Sequence, residues 1–256
     1  MHGHAVLLAG LVAGLMACEA RSDRPVTTTT AQGTATTPSG EVAEDRGRAL
    51  VRYVNAVPGH PGAVLRTGEE SPFQPVSYKS VTPYVELREN VARFELVDPA
   101  GKVLASNNEA LLDGERYTIV ALPDDGDEAG AVTLRVLHDE LQPDEGKARL
   151  RVINALTGVG EIDVHLDSRK DALFDGVNPG MEAGFKDLDP VGGRLAITRE
   201  DGGRPVVTLA RKQFQAGRAY TVVVTGQAGQ AEAITFDDVL GGGAMSAGAG
   251  EPSDSN

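Results

Sequence analysis

Apolar and polar residues alternate along short stretches of the chain from about residue 47 onwards. In Arg149–Val152, Arg93–Leu96 and Thr133–Val136 every second side chain is apolar, which gives an extended strand one apolar and one polar face. The stretches are bounded by turn-forming pairs such as Asp113-Gly114 and Ala216-Gly217. No stretch after residue 18 has convincing helical spacing. The pattern therefore predicts an all-β fold of short strands.

Three segments of the first half of the chain recur about 100 residues later. The matched pairs are Ala49–Ala56 with Ala148–Ala155, Asn90–Leu96 with Val191–Ile197, and Asp113–Val120 with Ala216–Val223. Their offsets of 99, 101 and 103 residues keep the same order and drift as loop insertions would. We therefore predict two tandem domains, 47–142 and 143–240. About seven short strands in each favour an antiparallel β-sandwich, in which alternate residues fill the space between two sheets.

The amino terminus has the pattern of an export signal. The mostly apolar run Ala5–Ala17 is too short to span a bilayer core of about 30 Å as a helix, and it has the length of a signal-peptide core. The segment Leu15–Cys18 resembles the bacterial lipobox. That resemblance implies that residues 1–17 are a lipoprotein signal peptide and that Cys18 becomes the acylated first residue. The start, Met1–His4, departs from the usual signal because it has no Lys or Arg.

An anchored protein of this kind is expected outside the cytoplasm, in the bacterial cell envelope. Glu19 stands where an aspartate would be linked to inner-membrane retention, which favours the outer membrane or a periplasm-facing position. Residues 18–46 are rich in Thr, Ser, Pro and Gly and lack large apolar side chains, so we expect a disordered tether. Residues 241–256 are rich in Gly, Ala and Ser and are expected to form a disordered tail.

Composition and charge limit the kinds of partner and site that the protein is expected to have. The chain has 24 basic and 37 acidic residues, and its formal charge of −13 argues against binding to nucleic acid. A single cysteine cannot form an internal disulfide, a multi-cysteine zinc site or a CxxC redox pair. Because Trp is absent and other aromatics are scarce, the core must be built mainly from Val, Leu, Ile and Ala.

Several segments follow one family pattern. They are the strand ends at Asn55-Ala56 and Asn154-Ala155, the segments Ile162–Asp167 and Ser80–Tyr84 with Leu87, and the turn-plus-strand segments around Tyr117 and Tyr220. Together they resemble the family called domain of unknown function 4397, in tandem copies over about residues 47–240. The resemblance implies immunoglobulin-like sandwiches and an envelope location, without a catalytic mechanism. The turn Val57–Pro61 and the segment Ala63–Arg66 depart from the family pattern.

The sequence offers few candidates for metal binding. His60, His138 and His165 lie in different segments without ligand-like spacing. The acidic run Asp124–Glu128 could supply carboxylates to Ca²⁺, but the order of an EF-hand loop fails, and a hairpin loop accounts for it more simply. We therefore predict no metal ligand and no cofactor.

Two further groups of residues have a functional and a structural interpretation. The repeated pairs Arg52 with Asn55 and Arg151 with Asn154 could be equivalent ligand contacts. We favour the structural alternative, in which each Asn closes its strand by a side-chain-to-backbone turn and each Arg faces water or pairs across the strand. A second group, Glu161, Asp163, His165 and Asp167, is expected on one exposed strand face because of its period of two.

The sequence shows no recognisable set of catalytic residues. It therefore favours a non-catalytic envelope lipoprotein with two β-sandwich modules for binding, adhesion or scaffolding. We predict no catalytic residue. The expected partners are the membrane, through the lipid at Cys18, and an envelope protein or glycan. Two alternatives stay open: a calcium- or small-ligand-binding carrier, and an envelope hydrolase with an unrecognised carboxylate site.

Overall fold

In the computed structural model the chain is described over residues 48–60, 62–68, 72–89, 91–124, 130–167 and 169–239. The expected signal peptide 1–17, the lipidation site Cys18, the tether 18–46 and the tail 241–256 lie outside the described residues, as do positions 125–128 of the acidic run. The described residues form strands and turns without a helix, so the predicted all-β fold is confirmed. Among these residues there is accordingly no helix with the length and apolar character needed to cross a bilayer.

Repeat one comprises the first eight strands, and repeat two the other ten. The strands of repeat one are β1 Ala49–Asn55, β2 Val64–Thr67, β3 Ser80–Val81, β4 Val85–Leu87, β5 Val91–Val97, β6 Val103–Ala110, β7 Arg116–Pro123 and β8 Val132–His138. Those of repeat two are β9 Ala148–Thr157, β10 Ile162–Leu166, β11 Phe174–Val177, β12 Lys186–Leu188, β13 Val191–Gly193, β14 Leu195–Arg199, β15 Gly202–Thr208, β16 Lys212–Phe214, β17 Arg218–Gln227 and β18 Gln230–Val239.

Each repeat is a sandwich of sheets around its own apolar core. In repeat one the sheet β3-β1-β7-β8, with β4 also paired to β1, faces the sheet β2-β5-β6. In repeat two the sheet β12-β9-β17-β18 faces the sheet β11-β10-β14-β15 and the pair β13-β16. The first core includes Tyr53, Phe94 and Ile119, and the second includes Val164 and Phe214, all fully or almost fully buried. The β-sandwich fold is therefore confirmed, whereas the immunoglobulin-like label stays a prediction.

The central strands of both repeats pair in parallel. The strand β1 runs parallel to β7, and β9 runs parallel to β17, while the remaining ladders are antiparallel. Parallel pairs are typically covered on both faces, and their strands then read as continuous apolar runs. The run Ile119–Leu122 in β7 and the run Val222–Val224 in β17 fit this rule.

The outer faces of these central strands pack against each other. A third apolar cluster joins the repeats and includes Val54 and Val120 of repeat one with Ile153 and Val223 of repeat two, all at most 1% exposed. The sheets therefore stack in four layers, with the β1-containing and β9-containing sheets in the middle. All described residues fall in one compact unit.

Candidate functional site

Beside the apolar cluster, the two repeats exchange buried ion pairs. Arg52 in β1 binds the carboxylate of Asp238 in β18 through two nitrogens, each at 2.9 Å. Arg151 in β9 binds Asp139, which follows β8. Because both the arginines and the aspartates are 99 residues apart, the two pairs are equivalent, and each arginine takes its carboxylate from the other repeat.

The equivalence extends to the other contacts of the arginines. The Nε of Arg52 donates to Thr118 at 2.8 Å, and the Nε of Arg151 donates to Thr221 at 3.1 Å. The guanidinium of Arg52 lies 4.5 Å from the ring centroid of Tyr84, and that of Arg151 lies 4.6 Å from that of Phe185. Matched residues that contact each other reciprocally are the signature of a two-fold interface, here between two halves of one chain.

The prediction that these arginines face water was wrong, whereas the alternative that they pair across the strand is confirmed by their bonds to Thr118 and Thr221 on the neighbouring strands. The side chains of Arg52 and Arg151 are 5% and 0% exposed. The physical reason is that the outer face of each central sheet is covered by the other repeat, so a polar position on that face is buried. The charges are instead compensated by hydrogen-bonded carboxylates, as buried charges require.

Asp139 is the acceptor at the centre of this network. Besides Arg151, its carboxylate accepts hydrogen bonds from the hydroxyls of Thr118 at 2.6 Å and Tyr84 at 2.5 Å. Burial alone would raise the pKa of Asp139, but Arg151, Arg52 and these hydroxyls outweigh it and hold the pKa below the usual range. The carboxylate is therefore ionised and fully used inside the protein, which assigns the network a structural role.

The asparagine prediction is confirmed. The Oδ1 of Asn55 accepts a hydrogen bond from the backbone N–H of Val57, and the Oδ1 of Asn154 accepts one from that of Leu156, each at 3.1 Å. Both side chains are buried, at 1% and 0% exposure. They close their strands by side-chain-to-backbone turns and are not available to a ligand.

Beyond these turns the two repeats enclose a cleft of about 840 Å³. It lies where β1 and β7 of repeat one and β9 and β17 of repeat two end, so the parallel pairing brings four strand ends together. The polar side chains that line this inter-repeat cleft are His60, Tyr78, Asp124, Thr157, Gln227, Gln230 and Glu232. Carboxylates, amides and an aromatic ring are thus presented around one concave surface.

One wall of the cleft is tied across the repeats by Tyr78 and Lys79. The Oη of Tyr78 donates to Glu232 at 3.2 Å, and the Nζ of Lys79 binds the same carboxylate at 2.8 Å. Burial raises the pKa of Tyr78, and the hydrogen bond from Lys79 lowers the pKa of Glu232. At neutral pH the tyrosine is consequently a neutral donor and the glutamate a charged acceptor.

The backbone around this wall is held in an uncommon conformation. Lys79 has φ of 67°, a left-handed value that costs a non-glycine residue about 1–2 kcal/mol. Its N–H donates to the carbonyl of Asn55 at 2.9 Å, which fixes the turn that carries Tyr78.

Another wall of the cleft is the tip of the β17–β18 hairpin. Gly226 there has φ of 97°, and a Cβ at this position would clash with the carbonyl oxygen of Gln230. The amide of Gln227 donates to that of Gln230 at 3.1 Å. Thr225 donates to the carbonyl of Ala56 at 2.7 Å and ties the hairpin to repeat one. Both walls are therefore fixed by contacts within the chain.

The histidines that the sequence singled out do not come together. His60 lines the inter-repeat cleft, His138 contacts Glu115 at 2.9 Å, and His165 lies half-buried in β10. Of the acidic run, the described residue Asp124 also lines the cleft. Within the described part of the chain, no group of three or more His, Cys, Asp or Glu side chains is arranged to hold a metal ion.

The prediction that Asp163 lies on an exposed face of β10 was wrong. That side chain is only 8% exposed, and its carboxylate accepts a hydrogen bond from the backbone N–H of Gly176 at 2.9 Å. The cause is an irregularity in the β10–β11 ladder, which brings the Gly176 amide to the carboxylate. Glu161 is half-buried, and its charge raises the pKa of the nearby Glu200.

Sequence reasoning missed most of the residues that line the cleft. Tyr78, Gln227, Gln230 and Glu232 lie in turns or beside them, where side-chain periodicity carries no information. Two of these residues could have been found from the sequence. The turn at Ala228-Gly229, between β17 and β18, places Gln227 and Gln230 at a hairpin tip.

Comparisons with known proteins give a family match over part of the chain. Residues 49–165 match the model of the family described as a domain of unknown function, DUF4397, so the resemblance is confirmed for that part of the chain. No curated protein matches the chain. Among solved structures, it is similar to the CS-Rosetta structures of the C-terminal domain of AlgF from P. aeruginosa. That similarity has 22% identity and a TM-score of 0.32 and covers 37% of this chain and 100% of the other.

Proposed function

We propose that this chain, whose residues 49–165 match DUF4397, is a non-catalytic binding module of the bacterial envelope. In this proposal a lipid at Cys18 holds it on a membrane, and the inter-repeat cleft binds a glycan segment of the envelope. The cleft is the observation that carries the proposal, because it is concave and is lined by both repeats.

Rigidity supports a binding role. The walls of the cleft are held by Tyr78, Lys79 and Thr225, each of which bonds to the other repeat. A pre-ordered site loses less conformational entropy when a ligand binds. The volume of about 840 Å³ lies within the range of about 300–1,000 Å³ that is typical of ligand pockets.

The chemistry of the lining favours an uncharged, hydroxyl-rich ligand. Gln227 and Gln230 supply both donors and acceptors, Asp124 and Glu232 supply acceptors, and Tyr78 supplies an aromatic ring. The carboxylates and the overall charge of −13 disfavour a polyanionic ligand. A neutral glycan segment therefore fits the lining better than an acidic polymer does.

The binding proposal is tested with residues 19–256, which contain every described residue and both apolar cores. Co-sedimentation with purified peptidoglycan and titration with neutral envelope oligosaccharides would measure affinity for the wild type and for Gln227→Ala/Gln230→Ala. We expect the double variant to bind at least tenfold more weakly, because each lost hydrogen bond is worth about 1 kcal/mol.

A matched control is Gln215→Ala. Gln215 is exposed just before β17 begins, whereas Gln227 ends it, so the two side chains are about 30 Å apart at about 3.3 Å per residue. This control should bind like the wild type. Equal binding by the wild type and the double variant, or no binding of any glycan, would contradict the proposed use of the cleft.

The anchor is tested separately in cells. Metabolic labelling with an alkyne fatty acid should label the wild type and not Cys18→Ser, since Cys18 is the single cysteine of the chain. The wild type should fractionate with membranes. An unlabelled wild type would remove the anchor from the proposal and leave the binding test unaffected.

A further inference from the structure

Four acidic residues of repeat two lie together on the outer face of the sheet β11-β10-β14-β15. They are Asp175 in β11, Asp163 in β10, Glu161 just before β10 and Glu200 just after β14. Adjacent strands lie about 4.8 Å apart, so this group, called the acidic face below, spans about 10 Å over three strands. None of its residues lines the inter-repeat cleft.

The carboxylates of the acidic face are close enough to repel one another. Glu161 and Glu200 lie opposite each other at the end of the β10–β14 ladder, and the backbone N–H of Glu200 donates to the carbonyl of Glu161 at 3.1 Å. The charge of Glu161 raises the pKa of Glu200, and Asp163 and Asp175 raise it further. Like charges directly opposite each other destabilise a sheet.

Among the described residues no cation balances these charges, because none of the four carboxylates forms an ion pair with Lys, Arg or His. Asp163 uses one oxygen to accept the backbone N–H of Gly176. A Cβ on Gly176 would lie 3.4 Å from the Oε2 of Glu161, so both carboxylates lie beside this glycine. The acidic face is therefore a concentrated and uncompensated negative surface.

A buried hydroxyl group lies within the acidic face. Thr198 pairs with Asp163 across the β10–β14 ladder and stands two residues before Glu200, so its side chain lies on the same face of the sheet. Thr198 is 8% exposed, and its Oγ1 has no hydrogen-bond partner among the described residues. Buried hydroxyl groups are normally hydrogen-bonded, and this oxygen can accept a bond from a cationic N–H donor.

The duplication shows that the sandwich does not need a polar pair here. Repeat one has Val64 paired with Val97 at the place where repeat two has Asp163 paired with Thr198. The two pairs are equivalent because the flanking pairs, one residue on in the first strand, match in both ladders. An apolar pair thus serves the fold equally well, and the polar pair of repeat two calls for another explanation.

The glutamate pair is also absent from repeat one. Gly62 and Pro99 occupy the positions of Glu161 and Glu200, at the same offsets of 99 and 101 residues. A Cβ on Gly62 would lie 3.3 Å from the Cγ of Pro99, so these two positions are direct neighbours in the fold. Repeat two therefore places two carboxylates side by side where repeat one has none.

The arrangement favours an extended organic cation over a metal ion or a peptide. A metal ion needs several oxygens around one point, and in the described part of the chain no three acidic or histidine side chains converge in this way. A peptide partner is usually held by apolar anchors. None of the exposed large apolar side chains of the described residues belongs to β10, β11 or β14.

We propose that the acidic face binds a small linear polyamine. One ammonium group would pair with Glu161 and Glu200, and a second with Asp163 and Asp175. The second group would also donate to the Oγ1 of Thr198. Hydrogen bonds between charged partners are about twice as strong as neutral ones, and the ligand would relieve the repulsion within the face. This site is independent of the inter-repeat cleft and of its glycan.

The test is calorimetric titration of residues 19–256 with spermidine, butylamine, calcium chloride and acetyl-trilysine amide. The salt concentration should be about 0.15 M, where long-range attraction to an acidic protein is screened. We expect spermidine to bind at least tenfold more tightly than butylamine, which has one ammonium group. No binding of spermidine, or tighter binding of calcium or of the lysine peptide, would overturn the proposal.

Variants separate the acidic face from the general charge of the protein. Glu161→Gln/Glu200→Gln should lower spermidine affinity at least tenfold. The control Glu89→Gln/Glu145→Gln removes the same charge from two exposed positions elsewhere and should bind like the wild type. Thr198→Val recreates the residue of repeat one, so it should fold, and it should lower the affinity about fivefold. Equal affinities of the two double variants would contradict the site.

A spectroscopic measurement on the wild type needs no variant. The backbone amide NMR signal of Gly176 should shift when spermidine is added, because its N–H donates to the carboxylate of Asp163. An unshifted Gly176 signal at saturating spermidine would place the ligand elsewhere. Gln227→Ala/Gln230→Ala should bind spermidine like the wild type, which separates this result from the glycan test.

Discussion

Arg52 and Asp238 form a two-point ion pair although 186 residues separate them in the sequence. The pair joins the first strand of repeat one to the last strand of repeat two and is almost fully buried. In its counterpart, Arg151 with Asp139, the arginine belongs to repeat two and the aspartate to repeat one. The repeats are therefore fastened by both members of a two-fold pair, as the subunits of a symmetric dimer are.

Asp139→Ala is expected to lower the free energy of unfolding by about 3–5 kcal/mol, because it leaves Arg151 buried without its carboxylate. Urea denaturation monitored by circular dichroism measures the change. Asp171→Ala, at an exposed aspartate, is the control and should change stability by no more than about 0.5 kcal/mol. Similar losses in the two variants would mean that the buried pair contributes no more than a surface charge does.

Acid should weaken the protein through the same carboxylate. The pKa of Asp139 is lower in the folded chain than its ordinary value of 3.8. Its contribution is therefore complete above the unfolded pKa and is lost as the pH falls through the folded pKa. We expect the free energy of unfolding to fall below about pH 4, and less steeply in Asp139→Asn. An identical acid profile in the wild type and Asp139→Asn would contradict this assignment.

Replacing Asn154 should destabilise the protein more than replacing Asn55. Asn154 accepts one hydrogen bond and donates two, to Gly160 and Val177, whereas Asn55 accepts one and donates one, to Val76. Since each unsatisfied buried group costs about 1–3 kcal/mol, Asn154→Ala should destabilise the chain by about 1 kcal/mol more than Asn55→Ala. Denaturant titration of the two variants gives the comparison, and the reverse order would count against these bonds.

Two glycines of the β17–β18 hairpin provide a matched pair for the cleft wall. Both Gly226 and Gly229 have positive φ, but a Cβ on Gly229 meets open space, whereas one on Gly226 meets the Gln230 carbonyl. Gly229→Ala should lower the free energy of unfolding by about 1–2 kcal/mol because of backbone strain. Gly226→Ala should lower it further. Gly226→Ala should also shift the amide NMR signals of Gln227 and Gln230. Equal costs and unshifted signals would mean that the wall tolerates the added carbon.

Alternation predicted the strands, and the three matched segments predicted the duplication, because both depend on local sequence. The polar residues on the outer faces of β1 and β9 were wrongly expected to face water. In the sequence, a polar residue on an outer strand face looks the same whether water or another sheet covers it. The missed signal was the continuous apolar run in β7 and in β17, which indicates strands buried on both faces.

The residues of the cleft could not be predicted in the same way. Tyr78 and Glu232 are 154 residues apart and meet only because the repeats pack back to back.

The buried interface between the two repeats should make them unfold as one unit. Native-state hydrogen exchange under increasing denaturant measures the opening free energy of single amides. The account predicts that the slowest amides of β7 and β17 open with the same free energy, and that Asp139→Asn lowers both values equally. Separate opening free energies, with the variant lowering only one repeat, would contradict it.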